Sequence, residues 1–267
     1  MKAGKRMLKL VAMSVGLVSV AALLGFVEST SESMPVNDIR IEVQGLGEVQ
    51  FIDEAMVRNI MLTDQSGIMG VPLGRMDLRV IEDRLREVPA IANAEVYSTM
   101  DGVLHVKVDQ RVPLVRVMMK EGKGLYLDRN GYAMPTSPVH SPRVLVALGA
   151  VRAPDVSEQV RHVLSGDSTW AGTHLPGLYR LAKAIDADPQ WRSLFDQVVV
   201  HANGQFELIP IVGMHHILIG DGSDLDHRLE KLRIFYDKGL HQADSRRYST
   251  IDLRFADQVV CTKRPTL

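Results

Sequence analysis

The chain has 267 residues, with 31 Lys and Arg against 32 Asp and Glu, so its formal net charge is −1 and no basic footprint marks it for nucleic acid. Aromatics make up only 5%, which argues against a platform that stacks sugars or bases. Cys261 is the single cysteine, excluding an intrachain disulfide and a thiolate metal site.

Lys2, Lys5 and Arg6 make the start basic, and Leu10–Val27 then runs without a charge. With Leu8 and Lys9 the stretch reaches the roughly 20 residues a helix needs to cross a hydrocarbon core. Basic residues stay on the cytoplasmic side, so residues 1–7 are expected as a short cytoplasmic tail, 8–27 as a transmembrane anchor, and the remainder outside the cytoplasm. The alternative is a cleaved signal peptide. Against it, the run is longer than the roughly 7–15 residues of such a peptide's apolar middle, and no A-x-A site follows. Both readings export the rest of the chain.

Residues 28–38 (ESTSESMPVND) are polar, contain Pro35 and Asn37, and read as a linker. Ile39, Ile41 and Val43 alternate with polar neighbours, a half-buried strand ending at Gly45. Asp53 caps a helix in which Met56, Val57, Ile60 and Met61 share a face. Asp77 starts a second helix carrying Leu78, Ile81, Leu85 and Val88, which Pro89 stops. Ala92, Ala94 and Val96 alternate, Asp101-Gly102 offers a turn, and Leu104, Val106 and Val108 alternate again, so a β-hairpin follows. The order strand, helix, helix, strand, strand specifies an α+β unit with helices on one sheet face.

This block resembles a POTRA domain. The resemblance rests on the strand ending at Gly45, on Pro89-Ala90-Ile91-Ala92-Asn93-Ala94-Glu95-Val96, and on the exit Val106-Lys107-Val108-Asp109-Gln110-Arg111-Val112-Pro113. Ile91 stands at the second apolar position, and Gln110 stands where the family usually has Glu. POTRA units occur in outer-membrane assembly factors and in the division proteins FtsQ and DivIB. Assembly factors place them before a membrane barrel of many alternating strands, which this chain lacks.

The remainder follows the second pattern. Gly124–Pro135 reads as two short strands around Asn130-Gly131 and is similar to the segment that opens the β domain of the FtsQ/DivIB family. Arg143–Gly149 is a further strand. A helix is expected over Leu178–Ala187, strands over Val198–His201, Phe206–Pro210 and His215–Ile219, and a helix over Asp224–Lys238 with Leu225, Leu229, Leu232 and Phe235 inward. Thr250–Phe255 and Val259–Cys261 correspond to the family's "DLRY" strand and its return. The resulting architecture is one N-terminal transmembrane helix, a POTRA-like domain over 39–117, and a mixed, mainly antiparallel β domain with flanking helices over 118–263.

A serine hydrolase is the enzymatic alternative. Gly166-Asp167-Ser168 matches the nucleophile element of GDSL-type esterases, and Asp224-Leu225-Asp226-His227 offers a D-x-x-H. That family places its nucleophile near the chain start, after a first strand, and no alternating βα pattern builds a parallel sheet beneath Ser168. Ser223 with Asp226 fits a helix-start capping box instead. His215 and His216 are adjacent on a strand, so they point to opposite faces and cannot chelate together. No metal and no cofactor is expected, nor any enzyme.

The family resemblance implies a binding protein of the bacterial divisome. It implies an inner-membrane location at the septum and partners of the FtsB/FtsL type, with septal peptidoglycan synthesis proteins beyond them. Its late "DLRY" strand presents an edge to which a partner adds a strand. Carried over, the partner-binding residues are Ser249, Ile251, Leu253, Arg254 and Phe255. Phe255 replaces a usual Tyr, and its pattern fits a core aromatic as well as an interface one. A POTRA-bearing accessory of envelope transport or assembly is a third reading.

Overall fold

The computed structural model describes residues 15–19, 33–45, 50–62, 67–119, 122–137, 140–156, 159–239 and 247–265. The expected tail over 1–7 and most of the expected anchor over 8–27 lie outside the described residues, and Val15–Ser19 is helical. Among the described residues no helix is long and apolar enough to cross a membrane. The chain divides into two compact units, Met1–Gln44 with Ile52–Gln110, and Gly45–Phe51 with Arg111–Leu267.

The first unit contains β1 (Asp38–Gln44), α1 (Glu54–Leu62), α2 (Leu78–Arg86), β2 (Ile91–Ser98) and β3 (Val103–Gln110). β3 is central, parallel to β1 and antiparallel to β2. Both helices start where a carboxylate frees the first turn from unpaired donors: Asp53 accepts the Met56 N–H at 2.7 Å and Asp77 the Arg79 N–H at 3.1 Å. Val57 and Met61 of α1 and Leu85 of α2 are buried, as are Ala94, Val96, Leu104, Val106 and Val108 of the hairpin. Gly102 turns that hairpin at φ +81°, where a Cβ would meet the Pro35 carbonyl at 2.7 Å. Gln110 is buried, its side-chain oxygen accepting the Ile52 N–H at 3.1 Å.

Part of the expected linker belongs to this unit. Val36 is 1% exposed, its N–H bonds the Val71 carbonyl at 3.0 Å, and its carbonyl accepts the Gly70 N–H at 2.9 Å. One valine in a polar tract carries no periodicity, so nothing in the pattern set it apart.

The second unit contains β4 (Pro113–Met118), β5 (Gly124–Asp128), β6 (Tyr132–Pro135), β7 (Leu145–Gly149), β8 (Arg161–His162), α3 (Leu175–Ala187), α4 (Pro189–Leu194), β9 (Phe195–Val200), β10 (Phe206–Pro210), β11 (His216–Gly220), α5 (Leu225–Ile234), β12 (Tyr248–Asp252) and β13 (Val260–Lys263). The strands form one sheet in the order β13-β12-β11-β10-β9-β7-β4-β5-β6-β8. β11 with β12, β4 with β7 and β7 with β9 are parallel, and the other neighbours are antiparallel. The fold is therefore α+β, a POTRA-like unit followed by a mixed sheet with helices. Because β4 lies in this sheet, the division falls after Gln110 and not after residue 117. β4 is an addition to the expected strands, and nothing local to residues 113–118 says which sheet such a strand joins.

Leu175, Leu178, Leu181 and Ile185 of α3 and Leu225, Leu229 and Leu232 of α5 pack in one core with Val115, Val117, Leu125, Val198, Leu208, Ile217 and Ile251 of the sheet. Burying each such side chain contributes about 1.5–3 kcal/mol. α4 is an addition to the expected elements. Asp188 ends α3 and caps α4 through the Gln190 N–H at 2.8 Å, and Pro189 occupies the first turn, where its missing donor costs nothing. Arg233 of α5 pairs with Asp188 and lies 5.3 Å over the buried Trp191 ring.

Asp128, 1% exposed, organises the β5–β6 turn. Its Oδ1 accepts the N–H groups of Asn130 and Tyr132 at 2.9 and 2.8 Å, and its Oδ2 takes Arg111 Nη1 at 2.9 Å. Asp128→Ala leaves the mostly buried Arg111 guanidinium without this partner, so it is expected to destabilise the second unit by about 3–5 kcal/mol in denaturant titration.

His215 is buried with Nε2 2.7 Å from the Tyr236 hydroxyl, on the π-helical turn Phe235–Gly239 that continues α5. Its neighbour His216 faces solvent and bonds Glu207, so the two point apart as strand geometry demands. Burial first, then the charges of His216 and Arg264, hold His215 below its ordinary pKa of 6.5. With the folded value depressed, the unfolded chain binds the proton first, and stability is lost as pH falls below 6.5. Thermal melts from pH 7.5 to 5.5 are expected to show that loss, and His215→Gln to reduce the slope.

Candidate functional site

The five residues expected at a partner-binding edge all lie on the β12–β13 hairpin, but β12 is not an edge. It pairs in parallel with β11, Ile217 opposite Ile251, and antiparallel with β13, Ile251 opposite Cys261. The outermost strand is β13, which has no neighbour on its far side among the described residues. The apolar return segment at Val259–Cys261 was legible as a strand, yet alternation does not report how many neighbours a strand has.

The hairpin separates the five residues by role. Ile251 and Leu253 are 0% exposed and belong to the core behind the hairpin, so they cannot meet a partner directly. Ser249 is half-buried, and its hydroxyl donates to the Thr262 carbonyl at 3.2 Å across the ladder. Arg254 and Phe255 lie past the end of β12, where the chain leaves the ladder and turns. Phe255 is 45% exposed, which places its ring at the surface.

Side chains of α5 fix that turn. Lys231 Nζ donates to the carbonyls of Leu253 at 2.9 Å, Phe255, and Ala256 at 3.0 Å, and His227 Nε2 lies 2.9 Å from the Ala256 carbonyl. Arg254 grips Asp252 with Nε and Nη2 at 2.9 and 2.6 Å, and its own N–H bonds the same carboxylate. The Arg254 hydrogen bond holds the Asp252 carboxyl below the usual carboxylate range, with the charge of Lys231 adding to it. Phe255 is thus carried by a turn that side chains of α5 and Asp252 hold from several sides.

β13 supplies what the turn does not, an open ladder. The Arg264 N–H bonds the Arg247 carbonyl at 2.8 Å, and the Thr262 carbonyl faces Ser249, so both groups point inward. Antiparallel alternation then turns the backbone groups of Cys261 and Lys263 outward. Val260 is exposed beside them, and burial pushes the Cys261 thiol up, away from nucleophilic chemistry.

The hydrolase residues are not assembled. Ser168 opens a 3₁₀ turn and its hydroxyl donates to Asp167 at 3.4 Å, while His227 is engaged with the Ala256 carbonyl. The capping box at Ser223 and Asp226 does not form either. Asp221 takes both the N–H and the hydroxyl of Ser223, at 3.1 and 2.6 Å, and Asp224 occupies the cap position at φ +51°. Among the described residues no group of His, Cys, Asp and Glu could hold a metal ion.

Comparison with known proteins follows the two units. A family model described as "FtsQ/DivIB, C-terminal related" matches residues 112–262, and one described as a POTRA-like domain matches residues 36–109. The chain is similar to the cell division protein FtsQ of Rhodothermus marinus, at 31% identity over a 253-residue alignment that covers 91% of this chain and 83% of that protein.

Lys231→Ala removes the tripod beneath the turn. It is expected to cost about 1.5 kcal/mol and to speed amide exchange across residues 253–257 while β13 stays paired, as read by hydrogen-exchange mass spectrometry.

Proposed function

Because the chain belongs to the FtsQ/DivIB family of cell-division proteins, we propose that it acts by binding, and that an added strand on β13 is its principal contact. The observation that carries this reading is the open edge of β13 beside the rigid Phe255 turn. Backbone bonds to Cys261 and Lys263 supply affinity, while Arg254, Phe255 and Val260 supply specificity. Ile251 and Leu253 serve from the core, by holding β12 in place.

In this reading the partners are division membrane proteins of the FtsB/FtsL type, and binding them links early ring components to septal peptidoglycan synthesis. The POTRA-like unit assists recruitment. The uncharged run Leu10–Val27 behind Lys2, Lys5 and Arg6 supports a single-pass inner-membrane anchor with the N-terminus in the cytoplasm and both units outside it. A tether at the septum also raises the effective concentration of partners confined to the same membrane.

Cys261→Pro tests the edge. A proline is tolerated where the strand's N–H faces solvent, so the β12–β13 pairing is retained while one donor to an incoming strand is lost. The full chain carrying Cys261→Pro is expected to stay folded with a modestly lower melting temperature, from the lost Cys261 packing, and to capture the FtsB/FtsL pair more weakly in pull-down. Unchanged capture by the folded variant refutes the site.

A further inference from the structure

β2 is an outer strand of the three-stranded sheet and eight residues long. Such a strand ordinarily offers a row of donors and acceptors to any further strand. Here two positions of that row are occupied by side chains of α2. Glu82 accepts the Val96 N–H at 2.8 Å, and Arg86 donates to the Ala94 carbonyl at 2.6 Å. The two side chains also pair with each other at 3.2 Å, and Asp83 holds the other guanidinium nitrogen at 3.1 Å. Spacing of three and four residues on one helix sets these side chains side by side.

The choice of groups is informative. A strand that joins in parallel bridges the carbonyl of one residue and the N–H of the residue two places on with a single residue of its own. The Ala94 carbonyl and Val96 N–H are such a couple, flanking Glu95. The Glu82 carboxylate stands where the newcomer's carbonyl would be, and the Arg86 guanidinium where its N–H would be. An antiparallel newcomer needs the same two groups, one from each of two ladder pairs. β1 receives a weaker form of the same treatment, Arg58 of α1 donating to the Ile39 carbonyl at 3.4 Å.

We propose that Glu82 and Arg86 form a plug that closes β2 to strand addition, and that removing it opens an edge through which a second copy of this chain pairs. The copy is the occupant because it brings an identical eight-residue edge, freed by the same change, at the protein's own concentration. The proposal is independent of β13, which lies in the other unit and is unaltered by these substitutions.

The test compares the full chain, solubilised in detergent, as wild type, as the Glu82→Ala/Arg86→Ala double variant and as Asp83→Ala. In dilute solution the double variant is expected to exchange the Val96 amide at least roughly tenfold faster than wild type, the equivalent of one lost charge-assisted hydrogen bond. On concentration its molar mass by light scattering rises beyond that of wild type, and Val96 protection returns as the edges pair. Asp83→Ala, which touches Arg86 but not the strand, behaves as wild type. Wild-type Val96 protection in the dilute double variant overturns the proposal, as does a wild-type molar mass at every concentration. Should the double variant not fold, Glu82→Leu/Arg86→Met keeps the side-chain bulk and still frees both the Val96 N–H and the Ala94 carbonyl. A concentration-dependent rise in its molar mass then supports the plug, and a wild-type mass refutes it.

Discussion

A sheet that does not close on itself leaves one row of backbone donors and acceptors unpaired along each outer strand, and buried or shielded groups of that kind are costly. Much of the polar chemistry in this protein answers that constraint. The large sheet ends at one margin in β8, only two residues long and therefore a poor template. The small sheet ends in β1 and β2, and side chains of the two helices engage both margins. β13 stands apart, since no strand pairs with its outer side among the described residues. The contrast between guarded and open margins is what makes the β13 edge the candidate for the proposed strand addition.

The same device recurs away from the edges. At several points where a ladder stops, one polar side chain takes over from the missing strand. Asp128 receives the N–H groups of the β5–β6 turn, Gln110 receives that of Ile52, and Arg228 donates to the Ile219 carbonyl at 2.6 Å as β11 ends. Lys231 serves three carbonyls of the β12–β13 turn, those of Leu253, Phe255 and Ala256. Turns fixed in this way lose little conformational entropy when something binds to them, so exposed groups such as Phe255 are already in position.

The local structure was largely legible, because its causes are local. Asp53 and Asp77 cap helices where an acid precedes an apolar period, Asn130-Gly131 turns two strands, and alternation located nearly every strand. What failed depended on competition or on neighbours. Ser223 and Asp226 had the spacing of a capping box, but Asp221 bonds Ser223 first. The helix expected to end at Ala187 is followed at once by another, because Asp188 caps it and Pro189 suits its first turn. At the candidate site, Ile251, Leu253 and Phe255 share a parity that predicts one common face. The first two obey it and are buried, while the strand stops at Asp252 and the turn swings Phe255 out. Parity holds only as far as the ladder does, and the ladder's length is set by β11 and β13 rather than by β12 itself.

An open edge is useful only if it does not pair indiscriminately, and β13 limits that risk by being short. It has four residues, of which only alternate ones face outward, and Lys263 places a charge near its end. So few backbone bonds cannot give tight binding by themselves, given the entropy lost on association. A productive partner must therefore add side-chain contacts beyond the ladder, and the rigid turn carrying Phe255 is the nearest apolar surface able to receive them. Any extended segment can satisfy the ladder, whereas a segment complementary to the turn as well is rare. In the proposed binding mode, specificity would reside in the turn and attachment in the strand, each needing the other.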